Sequence, residues 1–312
     1  MKILVYGAGV IGSIYSAKLY EAGIDITLLA RGKKYKNLKQ NGVTINDVLT
    51  GKQIVSKIPL TQHLSPADFY DLIIVTVRLD QLDGVKIKLK ENTSCRAIML
   101  MLNNPDNLQE LMQEFPAKKI ILGFPGSGGT YNNDQIDYVQ IKEQKTTIGD
   151  IDGNITDLIT EIKEILERAD FKVTVSTNMQ AWLKTHAVFI TCVTASIMKE
   201  NGDSIQLGKN KSSVQIMVKS IKEGFRACEK LGMPIAPTNL KTIFITMPQW
   251  FSVWYWQKAM QGKTGTLAMA PHASAAKDEM QLLAKKVLDI VHSSPASTPT
   301  LDNLLSTFIH SN

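Results

Sequence analysis

Six residues near the N-terminus, Gly7-Ala8-Gly9-Val10-Ile11-Gly12, have the pattern of a phosphate-binding turn. In Gly-x-Gly-x-x-Gly the first glycine makes a tight turn and the second lets backbone approach a pyrophosphate. The third lets a helix pack on the strand before it. The setting suits that chemistry, because a strand-like run, Ile3–Tyr6, precedes the turn and a helically spaced run, Ile11–Ala22, follows it. The helix N-terminus would then face the phosphates of a dinucleotide. The next strand, Ile26–Ala30, runs into Arg31-Gly32-Lys33-Lys34 and carries no acid at its end. An NAD site usually places Asp or Glu there to bind the ribose 2′-hydroxyl. Arg31, with Lys33 or Lys34, could instead hold a 2′-phosphate through charge-assisted hydrogen bonds, so the expected cofactor is NADP.

Ligands on open α/β sheets lie beyond the carboxyl ends of the strands. Two polar residues fall there: Arg78 after "LIIVTV" and Asn103 after "AIMLML". Each is a candidate for cofactor binding, and Asn103 also for substrate; a surface arginine and a helix cap before Pro105 are the structural alternatives. The glycine-rich "GFPGSGG" (123–129) fits a loop over the cofactor and a plain turn equally well.

The second half of the chain holds a possible proton donor. In "WLKTHAVFITCV" (182–193), Lys184 opens an apolar helical run. His186, two residues on, points about 200° away on a helix, so the two are not expected to share a pocket. Thr191 lies on the Lys184 face and is a candidate substrate contact, or a buried threonine bonded back to its own helix. His272 and Glu279, seven residues apart and so on one face of a helix lined with the small Ala275 and Ala276, are candidate substrate or acid–base residues, or part of a packing face. Met247–Met260 concentrates three of the four tryptophans. The spacings Trp250–Trp254 and Phe251–Tyr255 make two aromatic stripes, which suit core, a subunit interface or an apolar substrate wall.

Elements that could position these residues are readable. Strand runs at Leu72–Val77, Ala97–Leu102 and Lys119–Gly123 alternate with helical spacing, which predicts a parallel, doubly wound sheet. Thr146–Gly149, Ile155–Arg168 and Phe171–Ser176 add a strand-helix-strand unit. From Asn178 onward the spacing is helical, over Met179–Lys199, Val214–Leu231 and His272–His292. The expected organisation is therefore an α/β Rossmann-type NADP-binding domain over 1–177 and an all-helical substrate and dimerisation domain over 178–312. A chain of 312 residues suffices for two cores.

Composition narrows the partners. The net charge of +6 is modest and clusters near residues 31–39 and 84–90, favouring an anionic small ligand over nucleic acid. No uninterrupted apolar run approaches the roughly 20 residues needed to span a bilayer, and no secretion signal is evident. Cys95, Cys192 and Cys228 are widely spaced, which suits a reducing cytoplasm and offers no zinc site. No metal is expected.

Taken in order, these pieces resemble the ketopantoate reductase (2-dehydropantoate 2-reductase) family. The matching features are "GAGVIG", "ARG" at 30–32, the Asn103 turn, "TTIGD" at 146–150 and "WLK" at 182–184. "GMPIAP" at 232–237 and "TPTLDNLL" at 298–305 extend the likeness over nearly the whole chain. The resemblance implies hydride transfer from NADPH to the keto group of a 2-keto acid, in a cleft between domains. Lys184 inherits the role of proton donor, and a homodimer through the helical domain is expected. An ammonium aimed at the carbonyl oxygen would stabilise the growing alkoxide and protonate it.

The chain also departs from that family. Asparagines expected four and eight residues past the lysine are Val188 and Cys192 here, neither of which offers an amide's donor and acceptor. A lysine is replaced by Arg78, an Asn-Gly turn by Asn103-Asn104, and a late serine and glutamate have no match between Thr242 and Gly265. The expectation is a retained cofactor site with a rewritten substrate face. Alternatives are a dehydrogenase of another hydroxy acid or larger apolar carbonyl compound, and an NADP(H)-binding sensor without turnover.

Overall fold

The fold is seen in a computed structural model that describes residues 1–105, 108–140 and 144–311; the side chains of residues 108, 109, 272 and 275 are outside that description. The strands are β1 (Lys2–Tyr6), β2 (Asp25–Leu29), β3 (Val43–Asp47), β4 (Gln53–Ser56), β5 (Leu60–Thr61), β6 (Leu72–Val75), β7 (Ala97–Met101), β8 (Lys119–Phe124), β9 (Gly128–Asn132), β10 (Gln135–Val139), β11 (Thr146–Asp150) and β12 (Val173–Val175). The helices of the first half are α1 (Val10–Glu21), α2 (Gly32–Asn41), α3 (Leu82–Glu91), α4 (Leu108–Glu114) and α5 (Asp157–Arg168). Those of the second half are α6 (Met179–Lys199), α7 (Ser204–Lys209), α8 (Lys211–Lys230), α9 (Thr238–Lys241), α10 (Gln249–Gln261), α11 (Ala270–Ala275), α12 (Lys277–His292) and α13 (Pro299–Ile309).

The chain divides into two compact units, one of Met1–Leu102 with Asn107–Met179 and one of Asn103–Asp106 with Gln180–Asn312. The first carries an eight-stranded sheet in the order β12-β11-β8-β7-β6-β1-β2-β5. Its central strands read LIIV, AIMLM and KILVY and are buried almost throughout, as strands covered on both faces must be. The parallel sheet expected from the strand-helix alternation is mixed at one edge. β11 runs antiparallel to β8, pairing Ile148 with Gly123, and β12 follows β11 in parallel. A buried core of Ile3, Val5, Ile14, Leu28, Ile74, Met99 and Ile121 joins this sheet to α1, with Ile159 and Ile162 of α5 on the same cluster.

A second sheet was not expected. Four strands in the order β4-β3-β10-β9 lie in the same unit, with β3 parallel to β10 and the outer pairs antiparallel. Their sequences, VTIND, QIVS, QIDYV and GGTYN, mix polar and apolar residues in short runs.

The second unit is helical. α6 is long and apolar enough to cross a membrane by length and composition, yet 83% of that window is buried inside the protein, which makes it a core helix. α8 crosses it at Gly224, where an added Cβ would lie 2.5 Å from Val188 Cγ1 and 2.7 Å from Leu301 Cδ1. The neighbouring Glu223 accepts hydrogen bonds from the backbone N–H of Thr300 (2.8 Å) and Leu301 (3.0 Å) and from Thr300 Oγ1 (2.7 Å), capping α13 from outside. The helix expected over His272–His292 is broken: α11 ends at Ala275, Ala276 takes φ −125°, and α12 restarts at Lys277.

Candidate active site

The turn between β1 and α1 is built as its glycines require. Gly7 sits at φ +119°, and a Cβ there would press on Val77 Cγ1 at 3.1 Å. At Gly12 an added Cβ would fall 1.8 Å from the Gly7 carbonyl oxygen, so nothing larger than hydrogen fits. Thr76 Oγ1, just past the end of β6, donates to that carbonyl at 3.0 Å and braces the turn. Gly9 is different: a Cβ there would meet nothing within 4 Å. It caps α1 without a side-chain hydrogen bond, and the first turn of α1 holds no acid. The free N–H groups of that turn and the open space over Gly9 fit a pyrophosphate. Ala8, Val10 and Ile11 pack partly against the core and carry the backbone of the loop.

At the end of β2, Arg31 is the exposed residue before α2, and Lys34 lies in that helix's first turn. Neither makes an ion pair among the described residues. Lys34 Nζ instead sits 4.2 Å from the centre of the Tyr131 ring, and burial lowers its pKa against the raising influence of Asp134. The Tyr131 hydroxyl donates to the Ala8 carbonyl at 3.0 Å. Tyr131 is a residue that the sequence reading missed, because β9 itself went unseen.

Arg78 holds a forked ion pair with Asp80, at 3.1 Å from Nε and 2.9 Å from Nη2, at the start of a short 3₁₀ turn. Asn103 is 8% exposed, and its Oδ1 has no hydrogen-bond partner among the described residues. A buried amide oxygen left unpaired is costly, so this position suits a ligand donor. The glycine-rich stretch that leaves β8 is packed at Gly126 and Gly129 and open at Gly128, where an added Cβ would meet nothing within 4 Å. Gly126 N donates to Tyr15 Oη (3.1 Å) and Thr146 Oγ1 (3.2 Å), and a Cβ on Gly126 would fall 2.3 Å from Thr146 N. Gly128 and Gly129 belong to β9, where a Cβ on Gly129 would strike Asp137 O at 2.5 Å.

In the helical unit, Lys184 is half-buried on α6 between the buried Leu183 and Thr185. Thr185 Oγ1 donates to Ala236 O at 2.7 Å, which holds the Gly232–Asn239 segment beside the lysine. The Lys184 charge reaches Cys228, whose thiol burial nevertheless pushes up to about 12. His186 is buried and stacked on Trp182 with centroids 4.8 Å apart, off the lysine's face as its spacing predicts. One turn past Lys184 the face becomes core. Val188 is fully buried against Gly224, and Cys192 is fully buried, its thiol pushed far up by burial and secondarily by the Glu223 charge.

The Thr191 hydroxyl is committed to its own helix, donating to Ala187 O at 2.7 Å, and the residue is fully buried. That is the back-bonded arrangement, and it leaves no hydroxyl for a ligand. The helix break at Ala276 overturns the single-face argument for His272 and Glu279; Glu279 is buried at the start of α12, and the His272 side chain lies outside the described residues. Among the described residues no group of three or more His, Cys, Asp or Glu could hold a metal ion. Of the aromatic segment, Trp256 is buried with Phe244 and Phe189, whereas Trp250 and Trp254 are 71% and 53% exposed.

This loop and fold have known counterparts. Residues 3–153 match the family model described as ketopantoate reductase PanE/ApbA. Over those residues, just under half of the chain, the sequence is similar to that family. The 2-dehydropantoate 2-reductase of Pyrococcus horikoshii is 24% identical over 255 residues, covering 80% of each chain. The solved 2-dehydropantoate 2-reductase of Geobacter metallireducens superposes with a TM-score of 0.80 at 15% identity, covering 99% of both chains. A D-mandelate dehydrogenase solved with NADH and anilino(oxo)acetate gives 0.77 at 15% identity, covering 99% of this chain and 97% of that one. The fold is thus that of ketopantoate reductases, an N-terminal Rossmann domain followed by a helical domain.

Proposed function

We propose that the protein is an NADP-dependent oxidoreductase that reduces a 2-keto acid to the 2-hydroxy acid. The observation that carries the reading is the glycine loop, closed to any side chain at Gly12 and open over Gly9, in a chain whose Lys184 falls, by the resemblance of its WLK segment, where the family's lysine is expected. The residues that would hold NADP are the Gly7–Gly12 backbone, Arg31, Lys34, Arg78 and Asn103. Bound NADPH would supply the hydride. Arg31 and Lys34, neither engaged in an ion pair among the described residues, offer positive charge where an NAD site would carry an acid. Asn103 Oδ1 offers a buried acceptor to an N–H or O–H of cofactor or substrate. The Lys184 ammonium would hydrogen-bond the carbonyl oxygen and give up a proton as the alkoxide forms, leaving a neutral amine to be reprotonated from water.

Val188 and Cys192 favour a substrate other than ketopantoate, because the positions that would carry amides are buried and apolar. Both side chains are sealed in the core, so a substrate would lose the amide partners and gain no apolar wall, and a 2-keto acid that needs no such amides suits the site better. The likeness to a D-mandelate dehydrogenase supports that breadth of acids. The buried free cysteines suit a cytoplasmic location, and the exposed Trp250 and Trp254 suit a homodimer contact on the helical domain. The test is NADPH oxidation across ketopantoate and a panel of aliphatic and aromatic 2-keto acids. Turnover of at least one acid is expected; tight NADPH binding without oxidation of any would identify a sensor.

A further inference from the structure

Three elements of the first unit converge at one point beside the glycine loop: Ala8 in the loop, Lys34 in the first turn of α2, and Tyr131 on β9 of the second sheet. The glycine-loop motif itself calls for no aromatic residue there. We infer that Tyr131 sets the preference for NADPH over NADH, its ring holding the Lys34 ammonium as a reader of the 2′-phosphate and its hydroxyl tying that reader to the loop. The inference rests on the NADP reading proposed above and names the residue that would enforce it.

A lysine side chain is long and loses much rotamer freedom when fixed, so an unsupported Lys34 would spend affinity on ordering. The face of an aromatic ring attracts an ammonium and limits the directions it can take. Here Nζ lies 4.2 Å from the ring centre, while the phenol oxygen at the far end of the same ring is fixed 3.0 Å from Ala8 O. The ring therefore connects the pyrophosphate loop to the charge that would read the ribose. The Lys34 ammonium makes no ion pair among the described residues, and the nearby Asp134 is its one opposing influence against burial. A phosphate dianion would complete what that site lacks. Arg31, three residues earlier and also without an ion pair among the described residues, can share the same anion.

The experiment is calorimetric titration of the whole protein with NADPH and with NADH, for wild type, Lys34→Ala, Arg31→Ala, Tyr131→Ala, Tyr131→Leu and Tyr131→Phe, each first checked for a native unfolding transition. Wild type should prefer NADPH, and Lys34→Ala should cut that preference by about tenfold or more. Tyr131→Ala and Tyr131→Leu, which remove the ring with and without loss of bulk, should each cut it by about two- to fivefold. Tyr131→Phe keeps the ring and loses the hydroxyl with its bond to Ala8, so both cofactors should weaken by the same factor and the preference should stand. A preference that falls in Lys34→Ala but survives in both Tyr131→Ala and Tyr131→Leu would overturn this inference alone. So would one that depends on Arg31 and is untouched by Lys34→Ala. A wild-type protein with equal affinity for the two cofactors would overturn the NADP reading, and this inference with it.

Discussion

Lys184 and Val188 sit one helical turn apart on α6, and their surroundings predict opposite consequences of substitution. Lys184 is half-buried with no hydrogen bond to its ammonium among the described residues, so removing it should leave the fold intact. If it donates the proton, Lys184→Ala should lower kcat by about 10²–10⁴-fold while the Kd for NADPH from calorimetry stays unchanged. Equal turnover in the variant would remove the proposed acid. Val188 is fully buried against Gly224, so restoring the amide that the resemblance expects should not restore a substrate contact. Val188→Asn would bury an amide among apolar groups and cost about 1–3 kcal/mol, read as a lowered midpoint in urea unfolding. An unchanged midpoint together with an improved KM for ketopantoate would show that this face does meet substrate.

At the level of elements, the glycine loop and its flanking strand and helix were legible because motif, strand pattern and helical spacing agreed there. β1, β2, β6, β7, β8 and α6 were legible for a related reason, since each is a buried run of apolar residues. The second sheet was not, because Gly128-Gly129-Thr-Tyr-Asn and Gln-Ile-Val-Ser are short and half polar, and their partners are distant in sequence. The break at Ala276 lacked the Gly or Pro that would announce it. Missing β9 meant missing Tyr131, so a site residue was lost with its element. The glycine-rich stretch was ambiguous for another reason: close packing and ligand approach both demand glycine, and only the contacts of Gly126 with Thr146 and Tyr15 separate them. Tyr15 links α1, that stretch and β11, and its hydroxyl pKa is raised from 10.0 to about 12 by burial, despite hydrogen bonds with Thr146 and Gly126. The folded state holds this proton more tightly than the unfolded chain. The stabilisation is therefore fully present below pH 10 and lost as pH rises toward 12, a change of about 2–3 kcal/mol. Urea unfolding should weaken across that interval in the wild type and less steeply in Tyr15→Phe; parallel pH curves would refute the assignment.

For the whole molecule, the exposed Trp250 and Trp254 form the feature least suited to a lone chain in water. If they belong to a homodimer contact, light scattering should give twice the chain mass for wild type. Trp250→Glu with Trp254→Glu should then give the single-chain mass without lowering the unfolding midpoint of α10. A monomeric wild type would leave these tryptophans to another role. The second sheet has a consequence of a different kind. Its central parallel pair joins β3 to β10, and Asn46 bonds Asp137 across 91 positions of sequence. A parallel pairing over that distance must wait for a large loop to close, which slows its formation. During synthesis, the strands and turn around Gly7–Gly12 leave the ribosome well before β9 and β10 exist. Tyr131 is thus added late to a phosphate loop that is already shaped, and a nascent chain halted before β9 would carry the loop without the residue that closes on it.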